Sequence, residues 1–119
     1  MLVFMHSCGH IADLLDSFIE AGLDVLETAQ QENMGIDNLK ERFGGRLCFW
    51  CSVDIQKTMI TGTDEEIQKY ARHLIDSFGS YNGGFMAKWY EAHEAVGHDM
   101  RRVETACRAF REYGDVYYK

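Results

Sequence analysis

Proline is absent from this chain. Its turns must rest on other residues, and 11 glycines are available for them. Long apolar runs are missing too. No stretch approaches the roughly 20 residues that a membrane-spanning helix needs. The segment Met1 to Met5 is too short for a signal-peptide core and lacks a basic start, so a cytoplasmic protein is expected. Positive charge is scarce: 12 Lys and Arg stand against 19 Asp and Glu, a net charge of −7. Nucleic acid and anionic membranes reward a basic surface, so neither is the expected partner. A small-molecule substrate is expected instead. Disulfides are not expected among four cysteines in a reducing compartment. A zinc ribbon needs two Cys-x-x-Cys pairs, and only Cys48 and Cys51 form one.

What is present is a core-forming composition, 46% apolar over 119 residues, the size of one small domain. No linker or low-complexity tract divides it, so residues 1–119 read as a single unit. Short apolar runs alternate with helical spacing. Leu2 to Met5 leads into a helix over Ile11 to Ala21, with Ile11, Leu14, Leu15, Phe18 and Ile19 on its inner face and Gly22 ending it. Leu23 to Leu26 is a second strand, and Ile36 to Phe43 a short helix. Leu47 to Val53 is a third strand, with Cys48 expected in the core and Cys51 nearer the strand end.

Thr63 and Glu66 are spaced as a capping box. The helix behind them carries Ile67, Tyr70, Ala71, Leu74, Ile75 and Phe78 as a stripe, and Gly79 stops it. Gly83 to Trp89 is a fourth strand. A last helix runs from about Asp99 to Tyr113, with Val103, Ala106, Cys107 and Phe110 inward. Four βα units predict an α/β fold with a parallel sheet, half the complement of a (β/α)8 TIM barrel.

Ligands of such sheets gather at the carboxyl ends of the strands. Those ends carry His6, Cys8 and His10, then Gln30 and Gln31, then Cys51, Ser52 and Asp54, then Lys88, Trp89, Tyr90, Glu91 and His93. Lys88 and Glu91 are candidates for proton transfer. His6 and Cys8 are two apart in an extended segment, so their side chains point the same way and can reach one ion. Imidazole with thiolate suits zinc. The alternative is a buried structural histidine and cysteine.

Several motifs occur in order: His6 to Gly9 (His-Ser-Cys-Gly), Gly22 to Leu26 with Gln30, Leu39 to Gly44, Phe49 to Asp54 with Gln56, Thr61 to Glu66, and Gly83 to Phe85. Together they resemble the C-terminal part of the uroporphyrinogen decarboxylase superfamily over about residues 2–110. The resemblance implies the C-terminal half of a (β/α)8 barrel. The His-x-Cys-Gly segment is similar to the methylcobamide:coenzyme M methyltransferase branch, in which zinc activates a thiol and a corrinoid supplies the methyl group. On that likeness His6 and Cys8 are metal ligands. Gln30, Asp54, Trp89 and Tyr90, from the strand-end set, are the expected substrate contacts. The methyltransferases' third ligand is a cysteine after the last strand. Here the stretch from Lys88 to His93 has none, which leaves Cys51, Glu91 or His93 for that place.

A metal-free, porphyrin-binding decarboxylase-like protein is the second expectation, although that branch's Gly-His-Gly is missing. The third is a truncated, inactive assembly subunit. Four strands leave two open sheet edges, so pairing is expected, with a second copy as a homodimer or with a separate N-terminal half-barrel.

Overall fold

The computed structural model describes all residues, 1–119. Four short strands, β1 (Phe4–His6), β2 (Val25–Glu27), β3 (Cys48–Cys51) and β4 (Phe85–Ala87), form one sheet in the order β1-β2-β3-β4. Every pair is parallel. The intervening helices are α1 (Leu15–Glu20), α2 (Gln31–Met34), α3 (Ile36–Phe43), α4 (Thr58–Thr61), α5 (Asp64–Phe78) and α6 (Met100–Tyr117). A 3-10 turn at Ala12–Leu14 leads into α1, and another at His93–Val96 precedes α6. The predicted α/β alternation with a parallel sheet is therefore present.

Strand alternation divides the sheet into two faces. Leu26, Phe49 and Cys51 point to the helices and are buried. Phe49 stacks on Phe78 of α5 with ring centroids 4.3 Å apart, adding about 1 kcal/mol beyond simple burial. Phe4, Val25, Cys48, Trp50 and Met86 point to the other face, where no helix lies. Phe4 remains 53% exposed there and meets Trp50 edge-on at 6.4 Å.

Helix α5 forms as its sequence predicts. Thr63 Oγ1 accepts from the Glu66 amide at 3.2 Å, and the Thr63 amide donates to Glu66 Oε2 at 2.8 Å. Its stripe of Ile67, Ala71, Leu74, Ile75 and Phe78 is buried, whereas Tyr70 is only half-buried, with its hydroxyl on Glu32. Gly84 ends the turn into β4 at φ +94°, and a Cβ there would lie 2.8 Å from the Phe78 carbonyl oxygen.

Three expectations about the core are corrected. Cys51 is the wholly buried cysteine and Cys48 the half-buried one, because Cys51 shares the helix-facing side with Phe49. Leu14 is 52% exposed rather than inward, because the segment opens with a 3-10 turn that swings it to the flank of α1. Cys107 is exposed and Ala109 takes an inward place on α6 instead.

Candidate functional site

The carboxyl ends of β1, β2 and β4 bring four polar side chains into one chain of contacts. Register sets the first link: His6 lies opposite Glu27 on the next strand. Both project to the helix-free face. Glu27 Oε2 lies 3.2 Å from His6 Nδ1. An ionised carboxylate only accepts, so Nδ1 carries the proton in this contact, and Nε2 is the ring nitrogen turned toward Cys8. Cys8 Sγ lies 3.4 Å from that Nε2. The other Glu27 oxygen, Oε1, accepts from Lys88 Nζ, which reaches over from the end of β4.

The electrostatics follow from these contacts. The Lys88 hydrogen bond, more than the weaker pull of His6, holds the Glu27 carboxyl below the usual glutamate range, and partial burial opposes it. Lys88 itself is largely enclosed, with its ammonium 4.7 Å from the Tyr90 ring centroid. Tyr90 packs edge-on against His98 at 6.0 Å, and desolvation pushes its hydroxyl pKa up despite the lysine. His98 is buried with Nε2 3.0 Å from the Ile55 carbonyl oxygen, a tertiary contact and not a helix cap.

Zinc geometry gives a test of the His6 and Cys8 pair. Tetrahedral bonds of about 2.3 Å to sulfur and about 2.0 Å to nitrogen place the two ligand atoms about 3.5 Å apart. The observed 3.4 Å fits one shared ion. A metal-bound histidine ordinarily donates its other ring N–H to a carboxylate, which fixes its tautomer and orientation, and Glu27 stands where that partner belongs. Within the chain, however, no three His, Cys, Asp or Glu side chains converge into a metal-holding group.

The other expected site residues have varied surroundings. Cys51 lies in the hydrophobic core, and burial pushes its thiol pKa far up. Glu91 is exposed at the β4 rim, and His93 stands beside Trp89 with ring centroids 6.4 Å apart. Gln30 accepts from Asn33 through Oε1 at 2.5 Å. Asp54 is buried, and its carboxylate accepts from the Gln56, Lys57 and Thr58 amides and the Thr58 hydroxyl at 3.0–3.2 Å. Those contacts shape the loop into α4. Trp89, 45% exposed, flanks the outer side of β4.

Sequence reasoning missed Glu27. The apolar run ends at Leu26, whereas β2 continues to Glu27, so hydrophobic pattern does not mark this carboxylate as a strand-end residue. A polar cleft of about 550 Å³ lies elsewhere, lined by residues including Glu32, Asp54, Lys57, Lys69 and Tyr70. It includes neither His6 nor Cys8, which sit on an open rim. No family model, curated protein or solved structure matches the chain.

Proposed function

We propose that the chain is half of a (β/α)8 barrel of the uroporphyrinogen decarboxylase superfamily, on its methyltransferase side, with His6 and Cys8 as zinc ligands that activate a thiol substrate. The observation that carries this reading is the 3.4 Å separation of His6 Nε2 and Cys8 Sγ, with His6 Nδ1 on the Glu27 carboxylate. Zinc held there would draw electron density from a bound thiol, so that the thiol loses its proton near neutral pH.

The chain's own residues supply the rest. Glu27 holds the imidazole by its Nδ1 side, so that Nε2 would be the nitrogen offered to the ion. Lys88 keeps Glu27 ionised and in place. The corrinoid methyl donor and the thiol acceptor come from the resemblance alone.

Metal analysis of the purified protein tests the reading. Stoichiometric zinc in the wild type is expected, with loss in both His6→Ala and Cys8→Ala. A cobalt(II)-loaded sample should show a thiolate-to-metal charge-transfer band that Cys8→Ala lacks. Zinc content that ignores both substitutions overturns it.

A further inference from the structure

The chain has three asparagines, Asn33, Asn38 and Asn82, and their surroundings differ. Asn33 lies in α2 and Asn38 in α3. The backbone amide that follows each is held: Met34 donates to the Gln30 carbonyl at 3.2 Å and Leu39 to the Gly35 carbonyl at 2.9 Å. Each carboxamide is held as well, Asn33 on Gln30 Oε1 and Asn38 on the Met34 carbonyl.

Asn82 stands in the turn between α5 and β4, and Gly83 follows it. It is exposed, and it is the one non-glycine residue with a positive φ, at 57°. Asparagine takes that conformation more readily than bulkier side chains do. Its carboxamide makes none of the contacts that hold the other two. The Gly83 amide has no hydrogen bond of ordinary geometry, and only an isolated bridge to Ser80 ties the turn across itself. Open space lies where a Gly83 Cβ would stand. An unheld carboxamide and an unheld, unhindered amide nitrogen are thus neighbours in one surface turn.

We propose that Asn82 is a site of spontaneous deamidation, converted through a cyclic imide with Gly83 into aspartate and isoaspartate. Neither zinc nor a closed barrel is needed for it. The Gly83 nitrogen gives its proton to hydroxide and attacks Asn82 Cγ. A bond forms between them, the bond from Cγ to Nδ2 breaks, and Nδ2 leaves as ammonia with a proton from water. Water then adds to one of the two imide carbonyl carbons, and the bond from that carbon to the Gly83 nitrogen breaks. Addition at Cγ gives aspartate in an unaltered main chain. Addition at the main-chain carbonyl gives isoaspartate, in which the chain runs through Cβ and Cγ. The net exchange is ammonia for water, with no oxidant or reductant. Glycine suits the step because no Cβ hinders its nitrogen and both signs of φ are open to it.

The two products differ in what they do to the fold. Gly84 is fixed on both sides: its carbonyl accepts from the Phe49 amide at 2.9 Å, and the place of its missing Cβ lies 2.8 Å from the Phe78 carbonyl oxygen. Isoaspartate lengthens the main chain just before this point. Strand β4 begins at the next residue, Phe85, opposite Phe49. Isoaspartate therefore disturbs the start of β4, and aspartate does not.

The test is incubation of the folded protein in mildly alkaline buffer, followed by peptide mass spectrometry, beside a synthetic peptide spanning Phe78 to Phe85. The Asn82 fragment should gain about 1 Da and separate into aspartate and isoaspartate forms. Its rate in the folded chain should lie within about 10-fold of the free peptide's, and about 10-fold or more above the rates at helix-held Asn33 and Asn38. Asn82→Gly should abolish the change. Gly83→Ala should slow it about 10-fold, in the peptide as well as in the chain, so that a folding defect does not mask the effect. The isoaspartate form, separated by ion exchange, should unfold at lower urea than the wild type, and Asn82→Asp should match the wild type. Asn82 that stays intact in the folded chain while the peptide converts, conversion to aspartate without isoaspartate, or equal rates at all three asparagines overturns the inference. An isoaspartate form as stable as the wild type overturns the effect on β4.

Discussion

His6 on β1 and Glu27 on β2 face each other across adjacent strands, with Nδ1 3.2 Å from Oε2. Glu27 is also the only carboxylate that touches Lys88, so one side chain links three strands. Replacing it exposes the whole arrangement to measurement.

Glu27→Gln should lower stability at pH 7 by about 2 kcal/mol in urea titration, because the enclosed Lys88 ammonium loses its charged partner. Zinc affinity should fall about 10- to 100-fold, the usual consequence of losing an outer partner of a ligating histidine. The pH dependence has a definite sign. The folded-state pKa of Glu27 lies below its ordinary value of 4.5, chiefly through Lys88. Its contribution is complete above that ordinary value and is lost as pH falls through the lowered one. The gap between wild type and Glu27→Gln should therefore narrow on acidification below about pH 4.5.

Cysteine accessibility gives an independent readout. Iodoacetamide should modify exposed Cys8 in the native protein and leave Cys51 untouched until the chain is unfolded. Bound zinc should protect Cys8. Peptide mass spectrometry reads both sites at once, and modification of Cys51 under native conditions would contradict its core placement.

Asp54→Ala removes the acceptor for three backbone amides and a hydroxyl in the loop before α4. A loss of about 2 kcal/mol is expected, at the upper end for a lost cap. Zinc stoichiometry should not change, since none of these contacts involves His6 or Cys8. Equal effects on stability and metal content would argue against that separation.

Two glycines should respond differently to alanine. Gly97 has φ +77° with open space around its missing Cβ, so Gly97→Ala should cost about 1 kcal/mol from backbone conformation alone. Gly84 combines φ +94° with a backbone oxygen 2.8 Å from the added carbon. Gly84→Ala should cost about 3 kcal/mol, because β4 must shift as well. Paired thermal melts compare them.

The fold was legible where periodicity is long or a cap is explicit. The α3 helix over Ile36–Phe43 and the Thr63 start of α5 needed only local spacing. The α2 and α4 turns, Gln31–Met34 and Thr58–Thr61, were not legible, because four residues carry too little pattern and their positions depend on loop contacts such as those of Asp54. At the site, His6 and Cys8 were visible because both stand in one short motif. Glu27 and Lys88 were not visible as their partners, since strand register alone brings them to His6 across 21 and more residues of sequence. Spacing does not tell which of Cys48 and Cys51 lies in the core for a similar reason: which face of β3 the helices cover is a tertiary fact.

The strand order β1-β2-β3-β4 has a further consequence, for how the chain comes together. Each strand pairs with the one before it in sequence, and no pairing waits for a distant segment. Loop-closure entropy therefore stays modest at every step, as in a repeat array where neighbours dock in turn. Such a topology lets assembly advance from the amino end while later strands are still being synthesised.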